Sequence, residues 1–128
     1  MFSRSRLVLV LALTALLASC RSAPIYDVEQ STFNTTEQHS LAEITEAVQQ
    51  AGTRLGWQME VQRPGLITGT LNLRSHQAIV EIPYDTTGFA IRYQDSTDLN
   101  YDGTAIHKNY NSWVQNLERE IRTEVSAL

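Results

Sequence analysis

Apolar and polar residues alternate along four short segments between residues 57 and 93. A period of two places every second side chain on one face of a β-strand, so each segment predicts a strand with one buried and one wet face. The apolar positions are Trp57, Met59 and Val61; Ile67, Gly69, Leu71 and Leu73; Ala78, Val80, Ile82 and Tyr84; and Phe89, Ile91 and Tyr93. Short turn-rich gaps separate the segments, which predicts a four-stranded antiparallel meander.

An amphipathic helix is predicted before these strands, from about residue 41 to residue 55. Ser40 and Glu43 form the S-x-x-E pattern of a capping box, in which each side chain bonds the other residue's backbone N–H. Gly56 stands where a glycine cap ends a helix. The helix is therefore bounded at both ends by local signals.

A second helix is predicted from about residue 105 to residue 125, where apolar residues from Ile106 to Val125 recur at helical spacing. One-sided helices and a one-sided sheet bury their apolar surfaces against each other. The predicted fold is α+β, with the order α-β-β-β-β-α in two layers. Both helices pack on one face of the four-stranded antiparallel meander, in a single domain over residues 40–128.

The hairpin registers follow from matching apolar faces. In the second hairpin, pairing Leu73 with Ala78 places Leu71 opposite Val80, so that apolar residues meet on one face. In the first hairpin, a two-residue loop would set Val61 opposite Thr68 and turn the apolar side outward. We therefore predict a three-residue loop over residues 64–66, with a bulge.

The third hairpin aligns apolar and charged residues together. Pairing Tyr84 with Phe89 places Glu81 opposite Arg92, so that opposite charges meet on one face. This alignment predicts the register between the last two strands of the meander.

Residues 1–19 have the parts of a signal peptide. Arg4 and Arg6 precede an apolar run over residues 7–18, which is too short for a helix that spans a bilayer. The sequence Leu17-Ala18-Ser19-Cys20 that follows resembles the lipobox of bacterial lipoproteins. The resemblance implies cleavage before Cys20, lipidation of its sulfur and attachment to a membrane surface that faces the periplasm.

The location follows from the residue after Cys20. An Asp there resembles a signal for retention in the inner membrane, and this chain has Arg21 instead. The outer membrane is therefore the predicted location, with the inner membrane as the alternative. Cys20 is also the only cysteine, so the folded part contains no disulfide.

Residues 20–39 are polar and lack sustained periodicity, which predicts a lipidated N-terminus followed by a flexible tether. Its apolar residues leave an alternative, since they could add an edge strand or lie on the domain. These residues are Ile25, Tyr26, Val28 and Phe33.

The charge balance bears on the choice of partners. The chain has 10 basic and 14 acidic side chains, and cleavage of the leader removes two of the basic ones. Nucleic acid binding needs a basic face, so we expect no nucleic acid partner. The scattered acidic residues are typical of a soluble surface.

Three motifs resemble a family of small, uncharacterised lipoproteins from Gram-negative bacteria. They are H-x-A-x-V-x-I-x-Y over residues 76–84, Y-x-x-S-x-x-L-x-Y over residues 93–101, and I-H-x-x-Y-N-x-W over residues 106–113. The similarity covers roughly residues 40–121. It implies the location and the fold, and it transfers no activity and no catalytic residue.

The residues that could support catalysis or metal binding lack the required spacing. His39, His76 and His107 show neither H-x-x-x-H nor H-E-x-x-H, so we expect no metal and no cofactor. Ser96 and His107 could meet, but no G-x-S-x-G pattern supports a nucleophile. We therefore expect a protein that is not an enzyme.

The segment from Asp95 to Gly103 contains three aspartates and departs from the ligand spacing of an EF-hand. We interpret it as a surface loop that Leu99 and Tyr101 hold to the core, with a weak calcium loop as the alternative.

Five residues are predicted to cluster near this loop. They form either a hydrogen-bond network at the junction of sheet and helix or the polar end of a binding groove. The residues are His76, Tyr101, His107, Tyr110 and Asn111.

Two functions remain open. The first is a membrane-anchored, non-catalytic interaction module that binds another protein of the cell envelope through a free edge strand or an exposed sheet face. The predicted face contains Thr68, Thr70, Glu81 and Arg92. The alternative is a binder of a small ligand, peptide or glycan, in a groove near His76, Tyr101 and His107.

Overall fold

The computed structural model describes residues 21–128, and the predicted signal peptide and Cys20 lie outside the described residues. Within residues 21–128, two helices and seven strands make an α+β fold, as predicted. In chain order they are β1 (Ser22–Pro24), β2 (Val28–Thr32), α1 (Leu41–Arg54), β3 (Gln58–Arg63), β4 (Leu66–Leu73), β5 (His76–Pro83), β6 (Gly88–Thr97), β7 (Ala105–His107) and α2 (Lys108–Ser126).

The main sheet has five antiparallel strands in the order β2-β6-β5-β4-β3, and β1 and β7 form a second sheet of two strands. The meander β3 to β6 matches the four predicted strands. The prediction of four strands is incomplete, because β2 pairs with the outer edge of β6. The strands that were not predicted, β1, β2 and β7, pair with residues far along the chain. The local sequence pattern alone therefore does not specify them.

The prediction of a flexible tether over residues 20–39 is wrong for residues 22–32. Residues 22–24 pair with residues 105–107, and residues 28–32 pair with residues 88–91. Val28 and Phe33 are buried at 4% and 6% exposure. The alternative interpretation, an added edge strand on the domain, describes this segment, and the folded domain therefore begins before residue 40.

Local signals define both ends of α1 as predicted. The Ser40 hydroxyl accepts from the Glu43 backbone N–H, and the Glu43 carboxylate accepts from the Ser40 N–H. At the other end Gly56 has φ +88 and donates to the Thr53 carbonyl, while Trp57 donates to the Gly52 carbonyl. This pair of bonds is the Schellman motif, which glycine favours because it adopts positive φ without strain.

The second helix begins at Lys108 rather than near residue 105. Residues 105–107 form β7 instead, because they pair with β1. Along α2 the buried positions follow the predicted stripe, and they pack in one hydrophobic cluster with α1 and the sheet. The fully buried side chains of this core include Ile44, Val48, Ile67, Val80, Ile82, Ile91, Tyr110, Val114, Leu117 and Ile121.

The predicted three-residue loop of the first hairpin is wrong. Arg63 pairs with Leu66 across the two-residue loop Pro64–Gly65, and Gly65 has φ +88. Pro followed by a residue of positive φ fits a type II turn, whose twist opposes that of the strands. A register shift between Val61 and Arg63 absorbs the mismatch and sets Val61 opposite Ile67, so the predicted bulge is present.

The second hairpin is tighter than predicted. Leu73 pairs with His76, and Leu71 pairs with Ala78. The predicted pairing of Leu73 with Ala78 is therefore wrong by two residues. Because side chains alternate with a period of two, this slip leaves every side chain on its predicted face.

The third hairpin has the predicted register. Tyr84 forms a bridge with Phe89, and Glu81 pairs with Arg92. Beyond this point the register shifts by one residue: Val80 pairs with Tyr93, but its neighbour Ile79 pairs with Asp95, so that Gln94 is an additional residue in β6. The additional residue is a β-bulge, which bends a strand and increases its twist.

Candidate functional site

Two of the predicted site residues meet where β5, β7 and α2 converge. The ring of His76 lies 6.3 Å from the ring of His107, measured between centroids, and equally 6.3 Å from that of Trp113. His76 begins β5, and His107 ends β7 at the start of α2. The structure therefore brings the two histidines together as the sequence predicts.

His76 holds the loop that follows β6. Its Nδ1 lies 2.7 Å from the Asp98 carbonyl oxygen and 3.6 Å from the Asp98 carboxylate. The Ser75 hydroxyl donates to the same carboxylate at 2.6 Å. Asp98 has φ +59 and Asn100 has φ +52, a conformation uncommon for residues other than glycine. The contacts with Ser75 and His76 stabilise this turn.

His107 connects the same loop to α2. Its backbone N–H donates to the Leu99 carbonyl at 2.9 Å, and its Nδ1 accepts from the Asn109 N–H at 3.2 Å. His107 is therefore the N-cap of α2, where a side chain satisfies one of the free N–H groups of the first turn. Ser96 bonds to the Tyr93 hydroxyl at 2.7 Å, so the two side chains considered as a catalytic pair have separate partners.

The segment over residues 95–103, predicted as a loop, begins with the end of β6, and the loop follows from Asp98. Its aspartates act as hydrogen-bond acceptors. Asp102 Oδ1 accepts from the backbone N–H groups of Thr104 and Ala105 at 2.9 and 2.7 Å. These bonds hold the pKa of the Asp102 carboxyl below its usual range, the bond to Ala105 having the larger effect. Leu99 is buried at 1% exposure, while Tyr101 stays 39% exposed.

No group of three or more His, Cys, Asp or Glu side chains within residues 21–128 is arranged to hold a metal ion.

A separate aromatic cluster contains Tyr101 and Tyr110. Both rings contact Tyr93, with their centroids 4.1 and 5.8 Å from its own. Tyr110 is fully buried, and its hydroxyl has no hydrogen-bond partner among residues 21–128. Burial first, and then the nearby charge of Asp27, raises the pKa of the Tyr110 hydroxyl well above its usual range.

Asn111 has a different role, because it binds the chain between β1 and β2. Its Oδ1 accepts from the Tyr26 N–H at 2.8 Å, and its Nδ2 donates to the Pro24 carbonyl at 2.9 Å. The Tyr26 hydroxyl donates to the Glu118 carboxylate at 2.8 Å. That bond, followed by burial and the Glu118 charge, raises the pKa of Tyr26.

The five predicted residues thus divide among three places rather than one. His76 and His107 form the junction, Tyr101 and Tyr110 belong to the aromatic cluster, and Asn111 binds the N-terminal segment. Tyr26, Asp27 and Asp98 were not among the residues predicted for the site. The signals in the sequence that could have indicated these residues are the polar character of the loop and the apolar residues near position 26.

A shallow groove of about 470 Å³ lies beside the exposed tyrosine. Tyr93 and Tyr101 line one side of it, and Asp27, Glu29 and Arg92 provide charges of both signs. Neither His76 nor His107 lines this groove. The structure therefore places a concavity near Tyr101 and away from the histidines.

The main sheet has a second surface of interest, on the side away from the core. Four residues align across four strands: Glu60 pairs with Thr68, Thr68 with Glu81, and Glu81 with Arg92. A parallel row is formed by Gln58, Thr70, Ile79 and Asp95. All eight side chains are half-buried or exposed. We call these two rows the open sheet face.

Searches against models of known protein families, curated proteins and solved structures found no match to this chain. The resemblance to small lipoproteins of Gram-negative bacteria therefore stays a prediction. Across residues 21–128, no helix has the length and apolar character needed to cross a bilayer.

Proposed function

We propose that the protein is a lipid-anchored, non-catalytic interaction module of the bacterial cell envelope. In this proposal Cys20 bears the lipid, the outer membrane holds it, and the domain faces the periplasm and binds another envelope protein. The leader of residues 1–19 and the lipobox-like sequence before Cys20 support the export route and the anchor. One acyl chain binds membranes only marginally, so the two or three chains of a lipoprotein would give persistent attachment.

The open sheet face is the observation that supports binding of a partner. The buried side chains of β4 and β5 alternate with half-buried ones, among them Thr68, Thr70 and Glu81. We infer a two-layer arrangement in which both helices cover one face of the main sheet and leave the other to a partner. Pairing in the sheet already fixes the backbone of these strands, so binding there would require little ordering of the backbone.

The chemistry of this face suits a protein partner. Glu60, Glu81 and Arg92 supply charges of both signs along one row, and the half-buried Ile79 stands in the next. Charges of both signs can meet complementary charges on a protein partner, which gives an interface specificity. A nucleic acid or an anionic lipid surface would instead call for basic groups alone.

Photo-crosslinking in intact cells tests the proposal. A photoreactive residue in place of Thr68 or Thr70 samples the open sheet face, and one in place of the exposed Asn116 on α2 is the matched control. We expect a dominant crosslinked protein from both sheet positions and none from position 116. A Cys20→Ala variant should lose that product, since it leaves the membrane. Equal crosslinking from all three positions would contradict the proposal.

The groove at Tyr101 supports a second candidate function, which is binding of a sugar. The rings of Tyr93 and Tyr101, 4.1 Å apart and tilted by 33°, offer apolar surface for a sugar ring, and Asp27, Glu29 and Arg92 offer hydrogen bonds to hydroxyl groups. Titration of an isotope-labelled, mature Cys20→Ala form with chitotriose tests this idea. Shifts confined to residues around Tyr93 and Tyr101, lost in Tyr101→Ala, would support it. An unchanged spectrum at millimolar sugar would count against it.

A further inference from the structure

The structure leaves almost no free chain between Cys20 and the folded domain. Only Arg21 separates Cys20 from Ser22, which pairs with His107 in the β1–β7 sheet. The Arg21 carbonyl itself accepts from the Lys108 N–H at 2.9 Å. Since two extended residues span at most about 7 Å, a lipid on Cys20 would begin within that distance of Ser22, the strand partner of His107.

The surface around this point can be traced through its contacts. The His107 N–H donates to Leu99, the neighbouring His76 ring contacts Asp98, and Ser75 bonds to Asp98 as well. The tight β4–β5 hairpin and the loop after β6 therefore meet beside the start of α2. We call this surface the anchor end, defined by residues 21, 74–76, 98–100 and 107–109.

The chain that leaves the anchor end is fixed to the domain along its length. Ile25 donates to the Thr104 carbonyl, Asn111 binds both Pro24 and Tyr26, and Phe33 donates to the Thr87 carbonyl. Residues 21–33 thus run from the anchor end to the β5–β6 turn without a free stretch long enough to act as a hinge. The residue that follows Cys20 therefore moves with the domain and not on a separate flexible tether.

We propose that the anchor end lies directly against the phospholipid headgroups, with β5 and β6 leading away from the membrane. This inference rests on the lipid attachment in the proposed function and adds the surface that contacts the bilayer. The opposite end of the sheet, at the turn of residues 85–87, would then stand in the periplasm. Along the eight residues of β5 the separation is about 26 Å, at roughly 3.3 Å per residue.

The charge at the anchor end complements a phospholipid surface. Arg21, Arg74 and Lys108 are all exposed there, in a chain that is acidic as a whole. The acidic group within the anchor end is Asp98, whose carboxylate bonds to Ser75 and lies near His76. Basic groups beside a lipid anchor bind phosphate headgroups and add to the attachment of the acyl chains.

Depth measurement on the lipidated protein tests this orientation. The thioether on Cys20 consumes the only native thiol, so an introduced cysteine can be labelled selectively with a nitroxide. Asn109→Cys places a label at the anchor end, and Thr86→Cys places the matched label at the far turn; both positions are exposed. The protein is reconstituted in vesicles of phosphatidylethanolamine and phosphatidylglycerol. The accessibility of the nitroxide label to oxygen and to a water-soluble nickel chelate is then measured.

We expect the label at position 109 to be severalfold more shielded from the nickel chelate than the label at position 86. Vesicle-bound protein with both labels equally accessible to nickel would overturn the orientation while leaving the anchor intact. A free Cys20 thiol and failure to float with vesicles would instead overturn the anchor and, with it, the orientation.

A variant with a spacer distinguishes attachment of the lipid to the vesicle from contact of the anchor end with the bilayer. A flexible Gly-Ser segment inserted between Cys20 and Arg21 keeps β1 and the lipid but frees the domain. We expect this variant to float with vesicles and to lose the shielding at position 109. Unchanged shielding would overturn the argument that the short connection holds the anchor end at the bilayer.

Discussion

Helix α1 and the N-terminal segment of residues 21–33 are both integral parts of the fold, yet only the helix is evident in the sequence. The signals for α1 lie within or beside it, in Ser40, Glu43 and Gly56. The contacts of residues 21–33 are made with residues about 55 to 90 positions away, such as Phe89 and Asn111. A segment can therefore be firmly structured although its sequence offers only scattered apolar residues without sustained periodicity.

The strongest test of this comparison is removal of the N-terminal segment. Deleting residues 21–33 should lower the free energy of unfolding by about 5 kcal/mol, because it uncovers the core around the buried Val28 and Phe33 and the outer edge of β6. That loss is close to the whole stability of many small domains. Urea denaturation of the mature Cys20→Ala form measures it, and an unchanged midpoint would restore the tether interpretation.

Single core substitutions compare the two regions directly. Phe33 is buried and stacks on Phe89 with ring centroids 5.5 Å apart. We expect Phe33→Ala to cost about 3 to 5 kcal/mol, similar to the roughly 2 to 5 kcal/mol expected for Ile44→Ala in α1. Urea denaturation of the two variants, compared with wild type, would measure both costs. A cost for Phe33→Ala below that of an exposed-site control such as Glu37→Ala would contradict the comparison.

Asn111 tests the attachment between the two β-strands of the N-terminal segment. Asn111→Ala removes two hydrogen bonds to the backbone at Pro24 and Tyr26 and should cost about 1 to 3 kcal/mol. The loss should also speed hydrogen exchange at the Tyr26 amide. Ser112→Ala, at the exposed neighbouring position, is the control and should leave that amide unchanged.

Ser40→Ala tests the local half of the comparison. Loss of the capping box should cost about 1 kcal/mol and fray the first turn of α1. Exchange of the amides of residues 41–44 should accelerate, while those of residues 22–32 stay protected. Equal acceleration in both regions would show that the helix and the N-terminal segment unfold as one unit.

The smallest expected effect is a dependence on alkaline pH. The pKa of Tyr26 is raised, mainly by its hydrogen bond to the Glu118 carboxylate. A raised pKa in the folded state stabilises the fold fully below the unfolded pKa of about 10, and the stabilisation is lost as pH rises through the folded value. Tyr26→Phe should therefore lose stability relative to wild type at pH 7 and approach it above pH 10. A difference that does not change with pH would exclude the Glu118 bond as its source.

In the candidate site, as in the fold, the sequence predicted some features, while others depended on contacts between distant residues. The residue pattern predicted a cluster that includes His76 and His107, and in the structure their rings lie 6.3 Å apart. It did not separate Asn111 from them, since that required knowing that residues 24 and 26 lie against α2. The loop before β7 was expected to be held to the core by Leu99 and Tyr101. The structure buries Leu99, while Tyr101 stays exposed and contacts the Tyr93 ring.

Hairpin registers were partly predictable for a related reason. The apolar alternation fixes which face each residue takes, so the faces of β3 to β6 followed from the sequence. The length of each loop depends on turn geometry and on small register shifts, and both predicted loops before β5 were one or two residues too long.

The sequence by itself determined the α+β class, the limits of α1, the inner face of each meander strand and the acidic surface. These properties depend on local hydrogen bonds and on the period of apolar side chains. Only the tertiary structure decided the fifth strand, the β1–β7 sheet and the division of the predicted site. These features depend on contacts between residues distant in the chain, whose free energy arises only when the core has brought them together.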